Sequence, residues 1–186
     1  GQCSAKAVEL KKDLMRKGRE LMVDAQREQY GALAALFLRL GKTDFNSMSW
    51  SQFTAEIDTA NAEWKRILSI DAPFCREFIF EGLLDDKFSS ACETLNHLQM
   101  VWDSARNSVA NMQSGNYEAA RVFAYPPVNM PPFRNMVSQY PELKRALTTD
   151  GRFLDIVEAV DIMTNLAKAR MKDAVASLDY DASQNP

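Results

Sequence analysis

Histidine, cysteine, glycine and proline are all scarce in this chain, and each scarcity closes something off. There is one histidine, His97. The di-metal carboxylate pattern of helical bundles needs two Glu-x-x-His pairs, so it is excluded. The cysteines are Cys3, Cys75 and Cys92. An odd, small number is no disulfide framework, although one disulfide plus a free thiol stays open. Only seven glycines and seven prolines occur in 186 residues. Val and Ile are sparse beside Ala, Leu and Met, which favours helix over strand. A glycine-rich phosphate loop, a Walker pattern and a nucleophile elbow are all missing.

Basic excess is missing too. The net charge is −3, so a dedicated nucleic-acid binder is not expected. The longest strongly apolar run, Tyr30 to Leu38, is half of what a membrane span needs. No spanning segment is therefore expected. The first residue is Gly1 rather than Met, as in a chain shortened at its start, where an upstream signal or anchor would not be visible. Apolar residues make up 46% and charged residues 25%, an ordinary balance for a soluble globular chain with a sizeable core.

The strongest pattern that is present runs from Phe88 to Met112. Its apolar residues are Phe88, Ala91, Leu95, Leu98, Trp102, Ala105, Val109 and Met112. They alternate steps of three and four, the spacing of a helix whose seam faces other helices. At 1.5 Å per residue this rod is roughly 38 Å long. It predicts a central helix over 87–113.

Other helices follow from periodicity and end signals. One is expected over 5–40, with a stripe through Ala7, Leu10, Leu14, Gly18, Leu21, Ala25, Ala32 and Leu36. Gly41 stands where a left-handed cap would end it. Ser49 and Gln52 read as a capping box opening a helix over 50–69. Asp71 and Pro73 open another over 72–85. Short helices are expected over 117–124, 133–139 and 141–148, and Thr149 with Asp150 should cap a last long helix over 151–178. Residues 1–4 and 179–186 are expected to fray.

These elements predict an all-α, single-domain helical bundle over 1–186, with three or four long helices plus shorter connecting helices. The expected core includes Leu14, Leu21, Leu36, Phe53, Ile57, Trp64, Phe78, Leu95, Leu98, Trp102, Val109, Ile156 and Val160.

Few residues suggest chemistry. His97 shares a helix face with Glu93 four residues earlier, and reads as a core-edge histidine paired with that acid. Cys75, beside Arg76 in a first helical turn, has the setting that lowers a thiol pKa, and with His97 it could form a Cys–His couple. Buried, inert cysteine is the commoner state. A Cys75–Cys92 disulfide is awkward, because a hairpin turning near Asp86 leaves an axial mismatch of roughly 7 Å. Asp179, Asp181 and Ser183 begin like a calcium loop, but Gln184 replaces the required glycine and the chain stops short. The carboxylate pairs Glu81 with Asp85, and Asp155 with Glu158, read as solvated helix faces.

One irregular stretch, Phe123 to Phe133, is aromatic, uncharged and holds two diprolines. Tyr125, Pro127, Val128, Met130 and Phe133 are its candidates for an interaction surface. The other reading is a rigid crossover packed on one end of the bundle.

The expected function is a non-enzymatic protein-interaction module, such as an adaptor, an inhibitor or a secretion-related factor, with another protein as partner. No cofactor or metal is expected, and the sequence leans away from an enzyme. The alternative is a small-molecule binding or sensory bundle with an internal apolar pocket lined by Met, Phe and Trp.

Overall fold

The computed structural model describes residues 2–69 and 81–178. Helix α1 spans Gln2–Lys42, α2 Trp50–Ser69, α3 Glu81–Gln113, α4 Tyr117–Ala124, α5 Pro131–Gln139 and α6 Ile156–Leu178. Short 3₁₀ turns cover Phe45–Ser47 and Pro141–Ala146. The fold is an all-α helical bundle, and no strand occurs among the described residues. None of the described helices is long and apolar enough to cross a membrane.

α3 carries the heptad run, but it is helical from Glu81 rather than from 87 and runs unbroken through Asp85 and Asp86. The expected hairpin near Asp86, and the end of a separate helix at 85, are absent, because buried Leu84 extends the Phe88 seam by one turn. α3 packs most extensively on α6 and also against α4 and α2, while α1 lies on α6 and α2. Phe88, Ala91, Leu95 and Leu98 are fully buried along the seam. Phe88 is stacked on Phe37 at 5.6 Å between ring centres. Trp102 packs on Phe53 at 4.4 Å, and Trp50 meets Trp102 edge-on at 6.1 Å. The tryptophans are thus packing elements joining α2 to α3.

Helix ends follow local chemistry. The Ser49 side chain accepts from the Gln52 amide at 3.2 Å, and the Gln52 side chain accepts from the Ser49 amide at 2.9 Å. That is the reciprocal capping box. α3 ends at Gly115, whose φ is +79. The Gly115 amide donates to the Met112 carbonyl and the Asn116 amide to the Asn111 carbonyl, the paired bonds of a Schellman cap.

Several expectations fail, each for a physical reason. Gly41 does not cap α1: the helix continues through it to Lys42, and the Thr43 hydroxyl closes the end by donating to the Arg39 carbonyl at 2.8 Å. Thr149 and Asp150 do not start the last helix. Residues 147–154 instead fold back in a turn closed by an isolated antiparallel bridge, Leu147 opposite Leu154, around Gly151 with φ +68. Asp155 is the true cap, accepting from the Val157 and Glu158 amides. The segment after Pro141 winds as a 3₁₀ turn that stops at Ala146. α5 begins at Pro131 rather than Phe133, because prolines fit a first helical turn.

Leu14 and Leu21 are not core. They are 63% and 70% exposed. A 41-residue helix is about 62 Å long, and the bundle covers it only from Tyr30 onward, where Leu33, Leu36, Phe37 and Leu40 are buried. Val109 is 57% exposed, since the α3 seam also outruns its cover. Leu36, Phe53, Ile57, Leu95, Leu98 and Ile156 are buried as expected. Trp64, Trp102 and Val160 are half-buried against the core. Phe78, Cys75, the Asp71–Pro73 start signal and most of the expected 72–85 helix lie outside the described residues.

Candidate functional site

The irregular stretch is pinned by main-chain bonds. The Leu154 amide donates to the Pro126 carbonyl at 3.1 Å, and the Val128 amide to the Arg152 carbonyl at 3.0 Å. Prolines cannot donate, so this crossover uses the carbonyl of Pro126 and the amide of Val128. The five candidates therefore separate. Val128 and Phe133 pack against the core and Pro127 is half-buried, whereas Tyr125 and Met130 are exposed.

Other large apolar side chains are exposed on α3 and α4. α4 folds back along α3 and is fixed by two hydroxyls. Ser104 Oγ donates to the Phe123 carbonyl at 2.8 Å, and Ser108 Oγ to the Ala120 carbonyl at 2.9 Å. These bonds fix α4 to α3 but leave part of the apolar seam uncovered. Val109 and Met112 on α3 are exposed, as are Tyr117 and Val122 on α4. The sequence shows these residues but not their exposure, since heptad spacing reads as burial.

His97 lies in a polar cluster between α3, α6 and the α5 end. Its Nδ1 is 2.7 Å from the hydroxyl of Tyr140, a fully buried residue. The Arg170 guanidinium sits over the Tyr140 ring at 4.8 Å, and its Nη1 donates to Thr94 Oγ1 at 2.9 Å. Thr94 in turn donates to the Ser90 carbonyl at 2.7 Å. Burial pushes the His97 pKa below its ordinary value; Glu93 pulls upward and Arg170 pushes further down. Burial raises the Tyr140 pKa, against hydrogen bonding from Thr94 and the charge of Arg170. At neutral pH both groups are thus uncharged, and the Tyr140 hydroxyl and Nδ1 share a neutral hydrogen bond. Glu93 acts on His97 through its charge. The partners Tyr140 and Arg170 are 43 and 73 residues away in sequence, so spacing along one helix could not reveal them.

Cys92 is a free, buried thiol, and burial pushes its pKa up to about 12. It is therefore a thiol, not a nucleophilic thiolate. Cys75 lies outside the described residues, so the proposed Cys–His couple has one described member. No three His, Cys, Asp or Glu side chains among the described residues converge to hold a metal ion.

One concavity among the described residues is an open groove of about 530 Å³ between α1 and α6, floored by Phe37, Leu38 and Val175. No protein family, curated protein or solved structure matches the chain.

Proposed function

We propose that this protein is a non-enzymatic interaction module whose docking end is built from the α3–α4 hairpin and the Tyr125–Phe133 crossover. The observation that carries the reading is the uncovered seam. Met112 is 54% exposed and Tyr117 is 67% exposed, and Val109, Val122, Tyr125 and Met130 are exposed as well. Large apolar and aromatic side chains clustered at one exposed end mark a protein-binding surface. The backbone beneath is held by the Ser104 and Ser108 bonds and by the 126–128 pairing with 152–154, so the surface is pre-organised and little ordering opposes docking. The chemistry of the cluster around His97 supports the non-enzymatic side: its histidine is already satisfied by a neutral tyrosine.

The test places a photo-crosslinking side chain at Val122, and as a control at exposed Lys65 on α2, in the protein within its own cells. A discrete protein adduct at Val122 and not at Lys65 is expected. With that partner purified, Met112→Glu and Tyr125→Glu should each weaken the complex by at least about tenfold. Equal labelling at both positions, or a complex indifferent to both substitutions, refutes the reading.

A further inference from the structure

We infer that the groove between α1 and α6 binds a single-chain anionic amphiphile, a medium-length carboxylate, with its chain on the apolar floor and its head among three lysines. This site lies apart from the docking end described above. Its volume of about 530 Å³ falls within the range of small-molecule sites, which are mostly apolar with a few placed polar groups. Phe37, Leu38 and Val175 supply the apolar floor, and Lys42, Lys168 and Lys172 the cations. From Lys168 to Ala176 the α6 wall is about 12 Å long, the reach of a medium acyl chain.

The charges favour an anion. Lys168 is already fixed: its Nζ donates to the Thr43 carbonyl at 2.7 Å and lies 5.1 Å from the Phe45 ring centre. It remains a positive charge held in place. Lys42 and Lys172 pair with no acid among the described residues. The acids nearest in sequence are engaged elsewhere. Asp173 accepts from Lys87 Nζ at 2.6 Å, and Asp44 accepts from the Asn46 amide at 3.0 Å. A cationic rim above an apolar floor matches a carboxylate with a tail, rather than a free inorganic anion or an uncharged hydrocarbon.

Gly41 supplies the discriminating variant. It lines the groove, its φ is not positive, and no atom lies within 4 Å of where a Cβ would stand. Gly41→Leu therefore fills the groove without backbone strain and keeps the helix.

The experiment is calorimetric titration of the full chain with decanoate below its micelle concentration, with decanol as the uncharged comparison. Decanoate should bind with one-to-one stoichiometry, at least about tenfold more tightly than decanol, and more weakly as salt rises. Lys42→Gln with Lys172→Gln should cut decanoate affinity about tenfold and leave decanol unchanged. Gly41→Leu should abolish binding while the unfolding temperature holds or rises. Failure of decanoate to bind overturns the inference. So does undiminished binding to Gly41→Leu, equal binding of decanol, or occupation of the groove by an acidic peptide helix that decanoate cannot displace.

Discussion

Replacing Tyr140 by phenylalanine removes one oxygen from the middle of the bundle and leaves the ring in place. The lost bond is the 2.7 Å contact to His97 Nδ1. A net hydrogen bond contributes about 0.5–1.5 kcal/mol, and a ring nitrogen left without its partner adds to the loss. His97 is only half-buried, so water can reach the ring in part. The expected cost is about 1–2 kcal/mol. In a chain of this size that lowers the unfolding temperature by roughly 2–8 °C. Urea unfolding of the wild type, Tyr140→Phe, His97→Leu and the double variant gives the coupling directly, and about 1 kcal/mol is expected. The pH dependence is a second readout. Burial holds the folded His97 below its ordinary value of 6.5, so below pH 6.5 the unfolded chain binds more protons than the folded one. Stability should therefore be full above about pH 6.5 and fall as pH drops toward the folded value. His97→Leu should remove that fall. A coupling below about 0.3 kcal/mol, with an unchanged acid slope in His97→Leu, would refute this account of the cluster.

Other outcomes follow from burial and backbone geometry. Leu98→Ala should cost about 3–4 kcal/mol by chemical denaturation, whereas Leu14→Ala should fall within about 0.5 kcal/mol of wild type, since the first leucine is fully buried and the second is mostly in solvent. Cys92 should resist alkylation in the folded protein at neutral pH and react only at the rate of opening, its thiol being held protonated up to about 12; prompt labelling, read by mass spectrometry, would contradict its burial. Gly115→Ala should destabilise by about 1–2 kcal/mol, because a left-handed backbone strains any side chain, while Gly41→Ala should stabilise by up to about 1 kcal/mol. Thermal unfolding of the two variants in one buffer separates these opposite signs.

What the sequence discloses is what local chemistry decides. The capping box at Ser49 and Gln52, the glycine cap at Gly115 and the heptad run of α3 all depend on neighbours within a few residues, and all are present. The start of α6 is harder. Thr149 and Asp150 carry the same oxygen chemistry as Asp155, and the choice is made by tertiary pairing. Leu147 and Leu154 meet across a turn, and the Leu154 amide is claimed by Pro126 some 28 residues earlier. Asp150 then serves the turn, accepting from Thr148 Oγ1 and from the Arg152 amide. The same limit applies to the sites. Tyr125 and Met130 could be picked from an aromatic, proline-rich stretch, but Val109 and Met112 could not, because their spacing is that of buried residues. The Lys42–Lys168–Lys172 groove joins residues over a hundred positions apart.

Length explains why a seam does not guarantee burial. Periodicity names the face of a helix that is apolar, while the partner helices decide how much of that face is covered. α2 and α6 have 20 and 23 residues, rods of about 30 and 35 Å. α1 and α3 have 41 and 33 residues, about 62 and 50 Å. Neither long helix can be covered along its whole length by the short ones. Side-chain bonds fix which ends project. Tyr30 on α1 bonds to Asp85 near the start of α3, and Lys87 on α3 pairs with Asp173 near the end of α6. Lys168, earlier in α6, reaches Thr43 just past the end of α1. α1 and α3 thus run the same way with α6 antiparallel to both. The first half of α1 must project at one end of the bundle and the last third of α3 at the other. Leu10, Leu14 and Leu21 are exposed at the first end, Val109 and Met112 at the second. At the α3 end, α4 returns along the rod but is bonded through the Ser104 and Ser108 face. Val109 and Met112 stay exposed on this projecting third of α3, and that is why the docking surface is proposed there.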